Sequence, residues 1–96
     1  MMVLVTYDVC TSAQGGAKRL NRVAKTCLDF GLRVQNSVFE CKVDPGQFAE
    51  LKKKLTEIIA PEADSLRFYM LGSKYKHRIE HIGAKPTVDI DGALII

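Results

Sequence analysis

An α+β fold, an antiparallel sheet carrying two helices on one face, is what this sequence predicts. Three observations support it. Val3–Val9 is a β-branched apolar run with almost no polar interruption, the pattern of a buried strand. Ala17–Phe30 and the segment from Pro45 to just before Pro61 place apolar residues at helical spacing. Arg33–Val43 and Leu66–Leu71 return to extended patterns, so strands and helices interleave along the chain.

Each element has a local reason. Thr11–Gly16 is a loop of turn residues, and its glycines are expected to give it flexibility. In the first helix Leu20, Val23, Ala24 and Cys27 share a face, and Gly31 stops it. Gln35-Asn36-Ser37 is a candidate bend splitting the next stretch into two strands. Asp44 has the character of an N-cap, with Pro45 at the first helical position and Gln47 where a capping box needs it. Phe48, Leu51, Leu55 and Ile58 form the apolar face of that helix, and Pro61 ends it. Leu66, Phe68 and Met70 share one face of a strand, Gly72–Pro86 reads as a basic connector, and Thr87–Ile90 as a last short strand. Asp91-Gly92 is a turn and Ala93–Ile96 an apolar tail. The order βαββαβ with an extra C-terminal strand is the ferredoxin-like arrangement. One sheet face is then uncovered, and a homodimer in which residues 87–96 cross to the partner would cover it.

The 96 residues suit a single domain spanning 1–96. A chain of this size buries roughly 60–65% of its unfolded surface, and self-association would add to that. Net charge is only +3, but residues 66–86 carry Arg67, Lys74, Lys76, Arg78 and Lys85 against Glu80 alone. Three cysteines without Cys-x-x-Cys spacing argue against a disulfide framework or zinc knuckle and for a reducing, cytoplasmic setting. No stretch approaches a membrane span, and no membrane partner is expected.

Asp8 is the most informative residue. It sits near the end of an apolar strand, and burying an unpaired carboxylate costs several kcal/mol. It therefore needs a hydrogen-bond partner, a cation, or exposure at the strand's end. The first helix carries Lys18, Arg19, Arg22 and Lys25. Cations in its early turns oppose the helix dipole at about 0.3–1 kcal/mol each. They form either a solvated polar face or a phosphate-contacting face close to Asp8, where helix N–H groups also favour phosphate. Gln14-Gly15-Gly16-Ala17-Lys18 lacks the phosphate-loop spacing. His77-Arg78-Ile79-Glu80-His81 matches a zinc-peptidase string, but Gly72 and Gly83 leave no room for the long helix that chemistry needs. Cys10 has no partner base marked in the sequence, and Phe39 fits a core position or a binding one.

Tyr7-Asp8-Val9 at the end of the first strand, the basic helix, and Arg33-Val34-Gln35-Asn36-Ser37-Val38-Phe39-Glu40-Cys41 together resemble the CRISPR-associated Cas-two family. The C-terminal Val88-Asp89-Ile90-Asp91-Gly92-Ala93-Leu94-Ile95-Ile96 is similar to members from subtype I-C systems. The resemblance implies a ferredoxin-like homodimer, a small endonuclease acting with the Cas-one integrase in spacer acquisition. It implies Asp8 as metal ligand and catalytic residue with Tyr7 beside it. It also implies Lys18, Arg19, Arg22, Arg33, Ser37 and Phe39 as nucleic-acid contacts. Family members cut single-stranded RNA or double-stranded DNA, and others serve as scaffolds between integrase dimers.

One carboxylate is a poor site for Mg2+ or Mn2+, because Mg2+ takes carboxylates together with waters and substrate phosphates. A dimer supplies a second Asp8. Two unit charges about 4 Å apart repel by roughly 4 kcal/mol at an effective dielectric of 20, which favours a shared divalent ion. Single-strand binders use aromatic platforms. With no Trp, the plausible stackers are Tyr7, Tyr69 and Tyr75, so the charge leans toward duplex phosphates. Two other functions compete with an endonuclease: a non-catalytic dimeric scaffold on duplex DNA with residues 87–96 docked on the integrase, and a ferredoxin-like module binding a small ligand.

Overall fold

The computed structural model describes residues 1–83, together with the backbone of Thr87–Val88 and Leu94–Ile95. Strand β1 (Met2–Asp8) leads through a loop into helix α1 (Gly16–Leu28), then strands β2 (Leu32–Gln35) and β3 (Val38–Lys42), helix α2 (Pro45–Ile58) and strand β4 (Ser65–Gly72). The four strands form one sheet in the order β2-β3-β1-β4, antiparallel at every junction. This is the ferredoxin-like βαββαβ arrangement that the sequence predicts, and the Asn36–Ser37 bend does separate β2 from β3.

Alternation along β1 explains the layering. Val3, Val5 and Tyr7 are buried against the helices, whereas Leu4, Thr6 and Asp8 point to the other side. Phe39 and Cys41 of β3 join the buried set, as do Val23 and Cys27 of α1 and Leu51, Leu55 and Ile58 of α2. The i, i+4 spacing of Val23 with Cys27 and of Leu51 with Leu55 aims both pairs at one sheet face. Phe48 and Phe68 close the core edge-on at a ring separation of 5.3 Å. Three free thiols agree with a chain that uses no disulfide. Burial pushes the Cys27 thiol up to about 12 and the Cys41 thiol to about 11, so both behave as small apolar side chains.

The helix ends differ. At α2 the Asp44 carboxylate accepts from the Gln47 N–H at 2.7 Å, and the Gln47 side chain accepts from the Asp44 N–H at 3.0 Å. This is the capping box read in the sequence, a device whose loss costs about 0.5–2 kcal/mol. Helix α1 has no side-chain cap and begins after Gly15, whose φ of 74° lies in the left-handed region. A Cβ on Gly16 would stand 2.1 Å from the Cys10 carbonyl oxygen. These glycines therefore shape a tight return of the loop onto the helix, a correction to the flexibility expected of them.

The Gly72–Pro86 connector holds a 3-10 turn, Tyr75–Arg78, whose Tyr75 is buried. Beyond it β5 (Thr87–Val88) and β6 (Leu94–Ile95) pair antiparallel, so the apolar tail supplies a strand as well. The expected Asp91-Gly92 turn and residues 89–90 lie outside the described residues.

Candidate nucleic-acid and metal site

Of the three environments open to Asp8, the structure selects exposure. Its carboxylate stands at the end of β1 on the sheet face away from the helices and has no hydrogen bond or ion pair among the described residues. No cluster of three metal-ligating side chains occurs among the described residues, so one chain offers a divalent ion a single carboxylate here.

Tyr7 takes the opposite face. It is 5% exposed, its hydroxyl donates to the Asn36 carbonyl at 3.4 Å, and its ring lies 6.2 Å from that of Phe39. Burial raises the phenol, and Arg33 opposes that shift in part. This corrects the expectation that Tyr7 stands beside the Asp8 carboxylate: period-two alternation turns consecutive strand residues to opposite sides. Phe39 is fully buried, so its ring faces the core and not a base. Arg33 is exposed and caps the Phe39 ring at 5.2 Å. Ser37 contributes its carbonyl to the Tyr7 N–H at 3.2 Å. Tyr7, Arg33 and Phe39 thus gather on the helix side of the sheet, and Ser37 adjoins Tyr7 through its backbone.

The helix cations divide into two kinds. Lys18 and Arg22 are exposed. Arg22 also lines a groove of about 320 Å3 between α1 and α2 with Lys25, Lys54 and Glu57. Arg19 is committed inside the fold. Its Nε donates to Asp64 Oδ2 at 2.8 Å, its Nη2 to Asp64 Oδ1 at 3.3 Å and its Nη1 to the Gln14 carbonyl at 2.6 Å.

Asp64 is the residue that sequence reasoning missed. Its side chain has no exposed surface, and it also accepts the backbone N–H of Cys10 at 3.0 Å and of Ala60 at 2.8 Å. Each carboxylate oxygen takes two donors. The Arg19 hydrogen bonds, then those from Ala60 and Cys10, hold the carboxyl well below the usual range. Asp64 fastens the loop that follows Asp8, the first turn of α1 and the α2–β4 connection together. Ser65, next in the chain, pairs with Asp8 across β4 and β1. Nothing local in the sequence marks this, because Arg19 and Asp64 lie 45 positions apart.

Of the three candidate stacking tyrosines only Tyr69, 42% exposed, is open to solvent, while Tyr7 and Tyr75 are buried. His77 and His81 are exposed around the 3-10 turn, with no long helix beneath them.

The family model described as CRISPR associated protein Cas2 matches residues 1–79. The chain is 59% identical over 95 residues to "CRISPR-associated endonuclease Cas2" of Halalkalibacterium halodurans, covering 99% of each chain. It is 55% identical over 96 residues to "CRISPR-associated endoribonuclease Cas2" of Chlorobaculum tepidum, covering all of both. Among solved structures, Streptococcus pyogenes Cas2 at pH 6.5 superposes with a TM-score of 0.76 at 57% identity, covering 86% of this chain and all of the other. Family model, relatives and fold agree with the motifs at Asp8 and at Arg33–Cys41, and the chain belongs to the CRISPR-associated Cas2 family.

Proposed function

We propose that this protein is a cytoplasmic metal-dependent endonuclease of CRISPR spacer acquisition, working as a homodimer whose Asp8 residues hold one Mg2+ or Mn2+. The observation that carries this reading is the Asp8 carboxylate, exposed at the strand end and without a partner among the described residues, in a chain whose relatives are named endonucleases and endoribonucleases. An exposed carboxylate without a donor suits a hard divalent ion, and a second copy supplies the second oxygen ligand that one chain lacks. When bound, the ion supplies Lewis-acid polarisation of a phosphodiester and a more acidic water. The chain's own residues bind and orient the backbone. Lys18 and Arg22 project from the helix that follows Asp8 by one short loop, and Arg33 projects from β2 on the helix side of the sheet. Arg19 holds that loop through Asp64.

Phosphate contacts of this kind are independent of sequence and weaken with salt. They fit duplex DNA better than a row of stacked single-strand bases, since one of the three candidate tyrosines is exposed. A magnesium titration of cleavage on duplex DNA and on single-stranded RNA, wild type beside Asp8→Asn, tests the reading. Full metal-dependent cleavage by Asp8→Asn overturns it.

The exposed Lys18, Arg22 and Lys25 equally support a second reading, a scaffold that holds duplex DNA against the Cas1 integrase. There residues 87–96 cross to the dimer partner or dock on the integrase. Spacer acquisition that survives Asp8→Ala and fails on deletion of residues 87–96 selects this reading. A small-ligand module predicts no affinity for nucleic acid, and a gel-shift experiment with duplex DNA separates it from both readings.

A further inference from the structure

The sheet face turned away from the helices is self-complementary in charge, and the order of its strands says how a second copy fits it. On this face Leu4 of β1 lies between Glu40 of β3 and Tyr69 of β4, and Thr6 lies between Val38 and Arg67. An acid therefore stands on one side of β1 and a base on the other. Glu40 is half-buried and has no hydrogen bond or ion pair among the described residues. Burial pushes its carboxyl up, and His81 opposes that in part. A carboxylate drawn out of water without a donor is unfavourable. Arg67 is exposed, and among the described residues no carboxylate pairs with it. Its Nη1 donates to the Tyr69 hydroxyl at 3.0 Å, which leaves the phenol proton and the rest of the guanidinium fork unused. Within one chain β1 keeps Glu40 and Arg67 apart, about 9–10 Å across the sheet alone at the usual strand spacing.

The homodimer read above fixes the rest, and the inference rests on it. Stacked sheets lie about 10 Å apart with their strands within about 30° of each other. A two-fold that also joins the two Asp8 carboxylates runs lengthwise along β1, and each β1 residue then lies over its own copy. Strands β3 and β4 flank β1 on opposite sides, so the same axis lays β3 of each copy over β4 of the other. Glu40 comes over the partner's Tyr69, with the partner's Arg67 one rung along, about 7 Å at 3.4 Å per residue. Asp8 stays a strand aside, on the axis. A two-fold running crosswise instead lays β4 on β4, whose one charged residue is Arg67, and sends the two Asp8 residues to opposite ends.

We propose that the Glu40 carboxylate accepts hydrogen bonds from the partner's Arg67 and the partner's Tyr69, once on each side of the axis, and that this reciprocal contact selects the lengthwise two-fold that brings the Asp8 residues together. Asp8 cannot do this itself, because two like charges on the axis drive the copies apart until a cation joins them. Glu40 and Arg67 supply the attraction that holds the register while the Asp8 pair stays open.

The test is charge exchange, read as particle size by sedimentation of the full chain, with circular dichroism to check the fold. Glu40→Lys and Arg67→Glu, each alone, set like charges over one another at both contacts and are expected to weaken self-association by more than about tenfold. Mixed in equal amounts, the two variants are expected to form a heterodimer of wild-type size, since both contacts then join opposite charges. The double variant Glu40→Lys/Arg67→Glu is expected to dimerise with itself and not with the wild type. A nitroxide on Cys10, the one thiol of the three that is not buried, reports the axis. In the lengthwise dimer the two labels share an end, whereas crosswise stacking sets them apart by about the length of β1, roughly 24 Å for its seven residues. Single variants that dimerise like the wild type, a mixture that stays monomeric, or labels at opposite ends overturn the proposal. A monomeric wild type overturns it together with the homodimer reading, and loss of its duplex affinity on Arg67→Glu then assigns the face to nucleic acid. Should a reversed variant not fold, Glu40→Gln and Arg67→Gln decide it: each weakens self-association, and wild-type dimers from both overturn the contact. A dimer that passes every charge test and binds no Mn2+ fails the metal reading of Asp8 and leaves the contact standing.

Discussion

Two aspartates stand at the same end of this molecule and have opposite fates. Asp64 is buried and takes four hydrogen bonds, two of them from a guanidinium. Asp8, whose strand partner is Asp64's chain neighbour Ser65, is exposed and takes none among the described residues. A carboxylate whose lone pairs are filled by its own chain is a fastening. A carboxylate left open is available to something outside the chain. The same division separates Arg19, spent on Asp64, from Arg67, Lys18 and Arg22, whose charges face outward.

The sharpest way to break this contrast is to neutralise each aspartate and compare fold with activity. Asp8→Asn is expected to reduce metal-dependent cleavage by more than about 100-fold, beyond what loss of an outer-shell partner costs a metal site, with an unchanged melting temperature. Asp64→Ala is expected to do the reverse in kind. It strands the Arg19 guanidinium and two backbone N–H groups, so thermal denaturation followed by circular dichroism should show the melting temperature falling on the order of 10 °C. Equal melting temperatures for the two variants would dissolve the distinction.

Acidity sharpens it further. The Asp64 carboxyl is held below its ordinary value, so its contribution to stability is complete above about pH 3.9 and is lost as the pH falls toward the lowered value. Wild-type stability should therefore decline as pH drops below about 4, and Asp64→Asn should decline less steeply over that window. Parallel acid limbs in the two proteins would remove Asp64 from the account.

The smallest effects concern the cations. Lys18→Gln and Arg22→Gln should each lower the salt slope of duplex binding by about 0.9 while leaving stability alone. Arg19→Gln should lower the melting temperature and leave that slope nearly unchanged. A full unit of slope lost with Arg19 would show that the ion pair opens when nucleic acid binds.

Much of this architecture was legible because it depends on neighbours in sequence. The apolar face of α2 with its Asp44–Gln47 capping box, the bend before Val38 and the strand that ends at Asp8 all rest on contacts within a few residues. Family likeness grouped Tyr7 and Phe39 with Asp8. The alternation of Val3, Val5 and Tyr7 against Leu4, Thr6 and Asp8 already places them on different sides. The Arg19–Asp64 bond was not legible: its members meet only because α1 and the α2–β4 connection converge on the loop after β1. Tyr75 was equally opaque, since nothing in a run of lysines and histidines marks one tyrosine as buried.

The approach of Gly16 to the Cys10 carbonyl bears on how this protein can vary and be engineered. Backbone meets backbone there, so a single methyl at position 16 would displace the carbonyl of a residue whose own N–H is held by Asp64. Thr11 and Ser12, between the two contacts, face solvent. The loop backbone is thus braced from inside, with the Ala13 N–H on the Cys10 carbonyl at 3.3 Å, while the residues at its crest stay exposed. A fluorescent label or a grafted epitope at Thr11 or Ser12 would ride beside the proposed metal site as a reporter. The same change made four or five residues later would prise the loop off the helix and leave Asp8 without a fixed place.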